Sequence, residues 1–119
     1  MLIKSTLACA PFIANDGCRI REVLHPSHDP VDLPYSLAVA EVEPGAGTFR
    51  HRLRQDEVYY LLAGTGRMHV DLDARIVGAG DVVHIPGGAV QWIENVGAET
   101  LRFLALVSPA WTAADDERL

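Results

Sequence analysis

The sequence predicts an all-β protein, an antiparallel sandwich or barrel, and three observations lead there. Helical periodicity is nearly absent across the 119 residues. Short apolar runs recur from Tyr35 to Val107, and each break between them holds a turn-forming residue such as Gly or Pro. Successive side chains of a strand point to opposite faces, so short runs bounded by turn residues suit a sheet that is buried on one side.

Taken in order, the segment from Leu24 to Pro34 comes first, with His25, Pro26, His28, Pro30 and Pro34. Proline has no N–H to give to a ladder, so this stretch is expected to be a loop or lid rather than a central strand. Strands are expected at Ser36–Val42, Gly47–Arg52, Glu57–Ala63, Gly66–Leu72, Ala74–Val77, Asp81–Ile85, Val90–Asn95 and Thr100–Val107. Gly64-Thr65-Gly66 should close a hairpin, Gly78-Ala79-Gly80 should form another connection, and Pro86-Gly87-Gly88 should turn a sharp corner. In the tail, Thr112 followed by Asp115 resembles a capping box, and Asp116 and Glu117 suit a helix start, so a short C-terminal helix is expected from Trp111 to Leu119. There is no internal repeat, and residues 1–119 read as a single domain with its barrel at about 36–107.

Composition narrows the function classes. Hydrophobic residues make up 49% and charged residues 22%, which fits a folding globular chain rather than a disordered one. The net charge of −6 and the lack of any Lys/Arg block argue against nucleic acid or an anionic membrane as partner, because phosphate neutralisation needs clustered cations. A small-molecule ligand is the expected partner. No apolar run is long enough to span a bilayer and Met1-Leu2-Ile3-Lys4 opens no secretory signal, so a cytoplasmic protein is expected. Cys9 and Cys18 lack CxxC spacing and read as small apolar fillers.

Two ordered motifs bear on chemistry. The first is Gly45, His51, Leu53, Glu57 and Gly64; the second is Gly80, Pro86-Gly87-Gly88, Gln91 and Asn95. Their spacing resembles the paired motifs of the cupin superfamily over most of the chain, about Ser36 to Val107. The stretches Glu57-Val58-Tyr59-Tyr60-Leu61-Leu62, Met68-His69-Val70-Asp71 and Val90-Gln91-Trp92-Ile93-Glu94-Asn95 look like small single-domain cupins of bacteria and archaea, some described as mannose-6-phosphate isomerase-like. The resemblance implies a double-stranded β-helix, or jelly roll, and a mononuclear metal site. It carries His51 and Glu57 over as metal ligands, and places Leu53 and Gln91 where histidines would stand.

Leu53 coordinates nothing, whereas Gln91 offers a carbonyl oxygen, a neutral donor acceptable to harder ions. The expected cofactor is therefore a weakly held divalent metal, Mn, Fe, Ni or Zn, on His51, Glu57 and Gln91. In the competing structural reading, His51 and Glu57 hydrogen-bond each other in an apolar barrel mouth. Strand parity puts His51 and Leu53 on one face, and Glu57, Tyr59 and Leu61 on one face of the next strand, so His51, Glu57 and Tyr59 are the catalytic candidates.

Other residues are weaker candidates. His25 and His28 are either solvated loop histidines or ligands carried by a lid. The family comparison turns Val83 and Ile85 inward and His84 outward, while His69 is left open by parity. Tyr35, Tyr59, Trp92 and Phe103 either line a pocket or fill the core. Arg50, Arg52 and Arg54 fall opposite His51 and should meet solvent or acidic groups.

Three functions compete: a metal-dependent enzyme acting on a compact polar, sugar-like or aromatic substrate; a metal-free enzyme resembling sugar epimerases, with His51 as base and Tyr59 as acid; and a non-catalytic ligand-binding module. The unpaired strands at a sheet's edges need cover, and small cupins commonly pair, so a homodimer is expected.

Overall fold

Eleven strands in two antiparallel sheets make up the computed structural model, which describes residues 1–119. They are β1 (Phe12–Ile13), β2 (Arg19–Leu24), β3 (Ser36–Val42), β4 (His51–Leu53), β5 (Asp56–Ala63), β6 (Thr65–Val70), β7 (Asp73–Gly78), β8 (Val82–Ile85), β9 (Val90–Asn95), β10 (Leu101–Ser108) and β11 (Asp116–Arg118). One sheet runs β1-β2-β3-β10-β5-β8 and the other β11-β4-β9-β6-β7. No helix is long and apolar enough to cross a membrane.

Alternation builds the core. Leu101, Phe103, Ala105 and Val107 of β10 are buried, as are Tyr59 and Leu61 of β5 and Ile93 of β9. Phe103, Leu61, Ile85, Ile93 and Leu101 are the largest apolar side chains sealed within the main cluster. Each contributes roughly 1.5–3 kcal/mol of apolar burial. Tyr59 packs its ring on Phe103 at a centroid distance of 4.3 Å, so the phenol enters the core by its face and reaches polar partners by its tip.

The structure corrects several expectations. Gly64 does not close a hairpin, because β5 and β6 lie in different sheets. It turns the chain between sheets at φ +84°, and a Cβ there would lie 2.9 Å from Leu101 Cα, so only glycine fits. The strand expected at Gly47–Arg52 is registered later, at His51–Leu53. Ahead of it Thr48 bonds Ile93 through both its backbone N–H and its hydroxyl, which replaces a regular ladder.

The C-terminal helix is absent. Thr112 does donate to Asp115, at 2.6 Å, but only a 3-10 turn forms at Ala113–Asp115 before the chain extends as β11 along β4. A helix this short cannot offset its nucleation cost, and the free edge of β4 offers backbone partners: Arg54 N–H donates to Asp115 O, and Leu119 N–H to Arg50 O. Three strands, β1, β2 and β11, lay outside the sequence-based assignment. In β2 the charges of Arg19, Arg21 and Glu22 hide the alternation, yet Arg21 finds Glu41 on β3 at 2.8 Å. Of the loop expected from Leu24 to Pro34, Leu24 belongs to the end of β2 and the remainder contains no strand, as its prolines predicted.

Candidate functional site

His51 and Glu57 stand on different sheets and meet across the interior, not along one antiparallel pair. His51 lies opposite Gln91 in the β4–β9 register, and Glu57 opposite Ile85 in the β5–β8 register. The Pro86-Gly87-Gly88 corner carries the chain from β8 to β9, with Gly87 N–H donating to the Asp56 carboxylate and Gly88 N–H to Leu53 O. Both motifs are thereby tied to one end of the sandwich.

A cavity of about 50 Å³ opens there, large enough for a few water molecules. His51, Leu53 and Glu57 line it, together with Asp16, Glu22, Trp111, Asp116 and apolar groups from β1, β2, β3 and β10. No lysine or arginine lines it. Four carboxylates thus share the cavity with one imidazole. The sequence reading had missed Asp16, Asp116 and Trp111. None has a local signal, since acidic residues in turns and tails usually face water.

His51 is 3% exposed and its ring is held by its first nitrogen. Nδ1 lies 2.9 Å from Asp116 Oδ1, while Asp116 Oδ2 accepts the Trp111 indole N–H at 3.1 Å. A carboxylate only accepts, so Nδ1 carries the proton and Nε2 points onward. Nε2 has no hydrogen-bond partner; its nearest acid is Asp16 Oδ2 at 3.6 Å. Burial disfavours the imidazolium, but the Asp116 hydrogen bond and the charges of Asp16, Asp116 and Glu57 outweigh it and raise His51 above its ordinary value.

Glu57, 7% exposed, also has an unpartnered buried oxygen, Oε1. Burial pushes its carboxyl up to about 8, against the lowering pull of His51 and of the Gln91 amide. Burial likewise raises Asp16, opposed by His51. The mutual His51–Glu57 hydrogen bond of the structural reading does not form; Asp116 takes that place on His51.

Gln91 is 1% exposed, and its Oε1 accepts the Tyr59 hydroxyl at 3.1 Å. Neither residue is among those lining the cavity, and burial holds the Tyr59 phenol well above its usual range. Tyr35, Trp92 and Phe103 also stay out of the lining. Trp92 stacks outside on His69 at 4.1 Å, and His69 bonds Glu94 at 3.0 Å. His84 is exposed, as expected, while Ile85 is buried. Arg52 and Arg54 meet Glu117 and Asp115 at 3.8 Å. Cys18 is a core filler whose thiol burial pushes far up.

Glu22, His25 and His28 bring three donor atoms within 4.8 Å of one another, a tighter cluster than any around His51. The hydrogen bonds of His25 argue against a metal there. Ser27 N–H donates to Nδ1 at 3.0 Å, so Nε2 carries the proton and donates to Trp111 O at 2.8 Å. No lone pair is left, and His28 is spent on Glu22 at 2.6 Å. His25 is a strut that fastens the loop to the segment carrying Trp111 and Asp116.

For the metal that the motif implies, the test is whether the donors are in place. Two buried, unpartnered atoms, His51 Nε2 and Glu57 Oε1, belong to residues that face one cavity, and the ring is oriented by a carboxylate on its other nitrogen, as in many metal-bound histidines. The residues fit.

The family follows from fold, motif and comparison together. The family model for the cupin domain matches residues 38–107, and the chain belongs to that family. It is 37% identical over 110 residues to an uncharacterised protein of Methanocaldococcus jannaschii, covering 92% of this chain and 87% of that one. Among solved structures it resembles the Bacillus subtilis oxalate decarboxylase, which has Mn(II) centres, with a TM-score of 0.81 and 29% identity over 96% of this chain, although it spans only 31% of that enzyme. The polyketide cyclase RemF of Streptomyces resistomycificus shares the fold, with a TM-score of 0.83 and 20% identity over 100% of this chain and 85% of that one.

Proposed function

We propose that this cupin binds a divalent metal ion through His51 and Glu57 and uses it to bind or transform a compact metabolite. The observation that carries this reading is the pair of buried, unpartnered atoms, His51 Nε2 and Glu57 Oε1, facing a cavity rich in carboxylates. A buried polar atom without a partner costs about 1–3 kcal/mol, and a shared cation removes that cost at both. Gln91 is the third residue of the motif; it lies outside the cavity lining, with its amide oxygen accepting the Tyr59 hydroxyl. The Mn(II) centres of the Bacillus subtilis oxalate decarboxylase support the same assignment. When bound, such an ion supplies Lewis acidity toward a substrate oxygen.

The cavity limits the ligand. About 50 Å³ accommodates only a few heavy atoms, and the lining has no Lys or Arg to receive a phosphate. The ligand class is therefore a small neutral molecule, or a small acid bound only through the ion. Phosphorylated sugars fit poorly. Phe12, Ile20, Ala38, Leu53 and Val107 form the apolar wall of the cavity.

A second reading rests on the raised Glu57. With its carboxyl near 8, Glu57 stays protonated at neutral pH and can donate, while His51, braced by Asp116, accepts a proton at Nε2. In this metal-free version the acid is Glu57 and not Tyr59, whose hydroxyl is committed to Gln91. A ligand-binding module without turnover would use the same cavity.

Metal analysis by elemental mass spectrometry separates these readings. Protein purified without tag or chelator should carry close to one equivalent of metal, lost in His51→Ala and Glu57→Ala. Wild-type protein that is metal-free and resists reconstitution would transfer the weight to proton transfer or simple binding.

A further inference from the structure

Building on the metal-binding reading above, we infer that Asp16, from the turn between β1 and β2, is a third protein ligand and substitutes for the histidine that Leu53 replaces. Its Oδ2 lies 3.6 Å from the unpartnered His51 Nε2. That is too long for a hydrogen bond. It suits two donors on one ion: atoms each about 2.1 Å from a common centre stand about 3.0–3.6 Å apart when the angle between them is about 90–120°, and the observed distance is at the wide end of that range.

Asp16 is held in this position by its own turn. Its Oδ1 accepts the Cys18 N–H at 3.0 Å, and its backbone carbonyl accepts the Phe49 N–H, two residues before His51. Gly17 completes the turn at φ +84°, where a Cβ would come within 2.8 Å of the Phe49 ring. The ring is in turn covered by the Arg118 guanidinium at 3.5 Å. With Oδ1 and the backbone occupied, Oδ2 is the oxygen free to ligate, on a residue only 6% exposed.

Charge points the same way. Asp16 and Glu57 share a buried cavity with Asp116 and a single imidazole, without lysine or arginine. Buried carboxylates are costly unless positive charge is shared among them, and a divalent ion held by Asp16 and His51, with the Glu57 carboxylate drawn in toward it, provides it. Glu22 also lines the cavity but is committed to His28. One imidazole with two carboxylates is an oxygen-rich set, suited to Mn²⁺ more than to the nitrogen- or sulfur-rich sites that favour zinc.

Manganous ion titrated into chelator-stripped protein, followed by the EPR signal of the free ion, tests the assignment. Asp16→Asn keeps an acceptor for the Cys18 N–H while removing the charge. It should weaken Mn²⁺ binding by at least about tenfold with a metal-free melting temperature no lower than that of wild type, and should shift the visible bands of a cobalt-substituted sample. Affinity within twofold of wild type in Asp16→Asn, alongside abolished binding in His51→Ala, overturns the role of Asp16 and leaves the metal reading standing. Wild-type protein that takes up no manganese overturns both. If Asp16→Asn does not fold, wild-type crystals soaked in manganese chloride give the answer: the anomalous peak must lie within bonding distance of the Asp16 carboxylate, and a peak away from it refutes the assignment.

Discussion

In metal-free protein, Glu57→Gln should remove most of the stability that wild type loses as pH rises. Glu57 ordinarily titrates at 4.5 and is pushed up to about 8 by burial. Between those values the folded chain holds a proton that the unfolded chain has released. Stability therefore falls as pH rises through this window, and it levels off on either side. The gap between 4.5 and about 8 is worth on the order of 5 kcal/mol, at about 1.36 kcal/mol for each tenfold change in proton affinity. That is comparable to the whole stability of a small domain, about 5–15 kcal/mol.

His51 and Asp16, both raised, add losses of the same sign, His51 as pH climbs past its folded value and Asp16 from its unfolded value upward. Glutamine keeps the shape of Glu57 and cannot ionise. The variant should match wild type near pH 4 and exceed it by several kcal/mol at pH 9. Urea melts at pH 4, 7 and 9 in chelator provide the measurement. Parallel profiles for the two proteins would refute the claim that Glu57 is held protonated. Adding manganese to wild type should flatten its profile, because an ion stabilises the carboxylate that burial opposes.

Two further outcomes follow from the same geometry. Leu53→His restores a second imidazole beside His51 at a position 1% exposed; it should tighten Mn²⁺ at least about tenfold by EPR titration and cost about 1–3 kcal/mol in metal-free urea melts. The outer strands β1, β7 and β8 expose Phe12, Ile13, Ile76 and Val82, and a homodimer that covers part of these edges should give twice the chain mass in light scattering, whereas a monomeric mass would end that expectation.

Much of the architecture was legible in the chain because its signals are local. Alternating burial along β5, β9 and β10 shows in the sequence as apolar residues two apart, and the sheet-to-sheet corner at Pro86-Gly87-Gly88 needs residues with unusual backbone freedom, whereas Gly64 was legible as a turn but not as one between sheets. The inward parity of His51, Leu53 and Glu57 followed from the same period. Where local signals conflicted, the reading failed. The charges of β2 masked a strand, and the capping pattern at Thr112 suggested a helix where the open edge of β4 pulled the chain into β11.

The sequence alone determined the barrel, its Pro86-Gly87-Gly88 corner and two of the residues that face the cavity, since His51 and Glu57 sit at a spacing that strand geometry and motif both make readable. Only tertiary structure decided what surrounds them. Asp116 reaches His51 across 65 residues of chain through the β11–β4 pairing, and Asp16 arrives through the hydrogen bond from Phe49 to its carbonyl. Asp16 lies in a turn and Asp116 opens a strand of three residues, too short to show a period, and the contacts that bury them are made by the folded sheets and not by their neighbours in sequence.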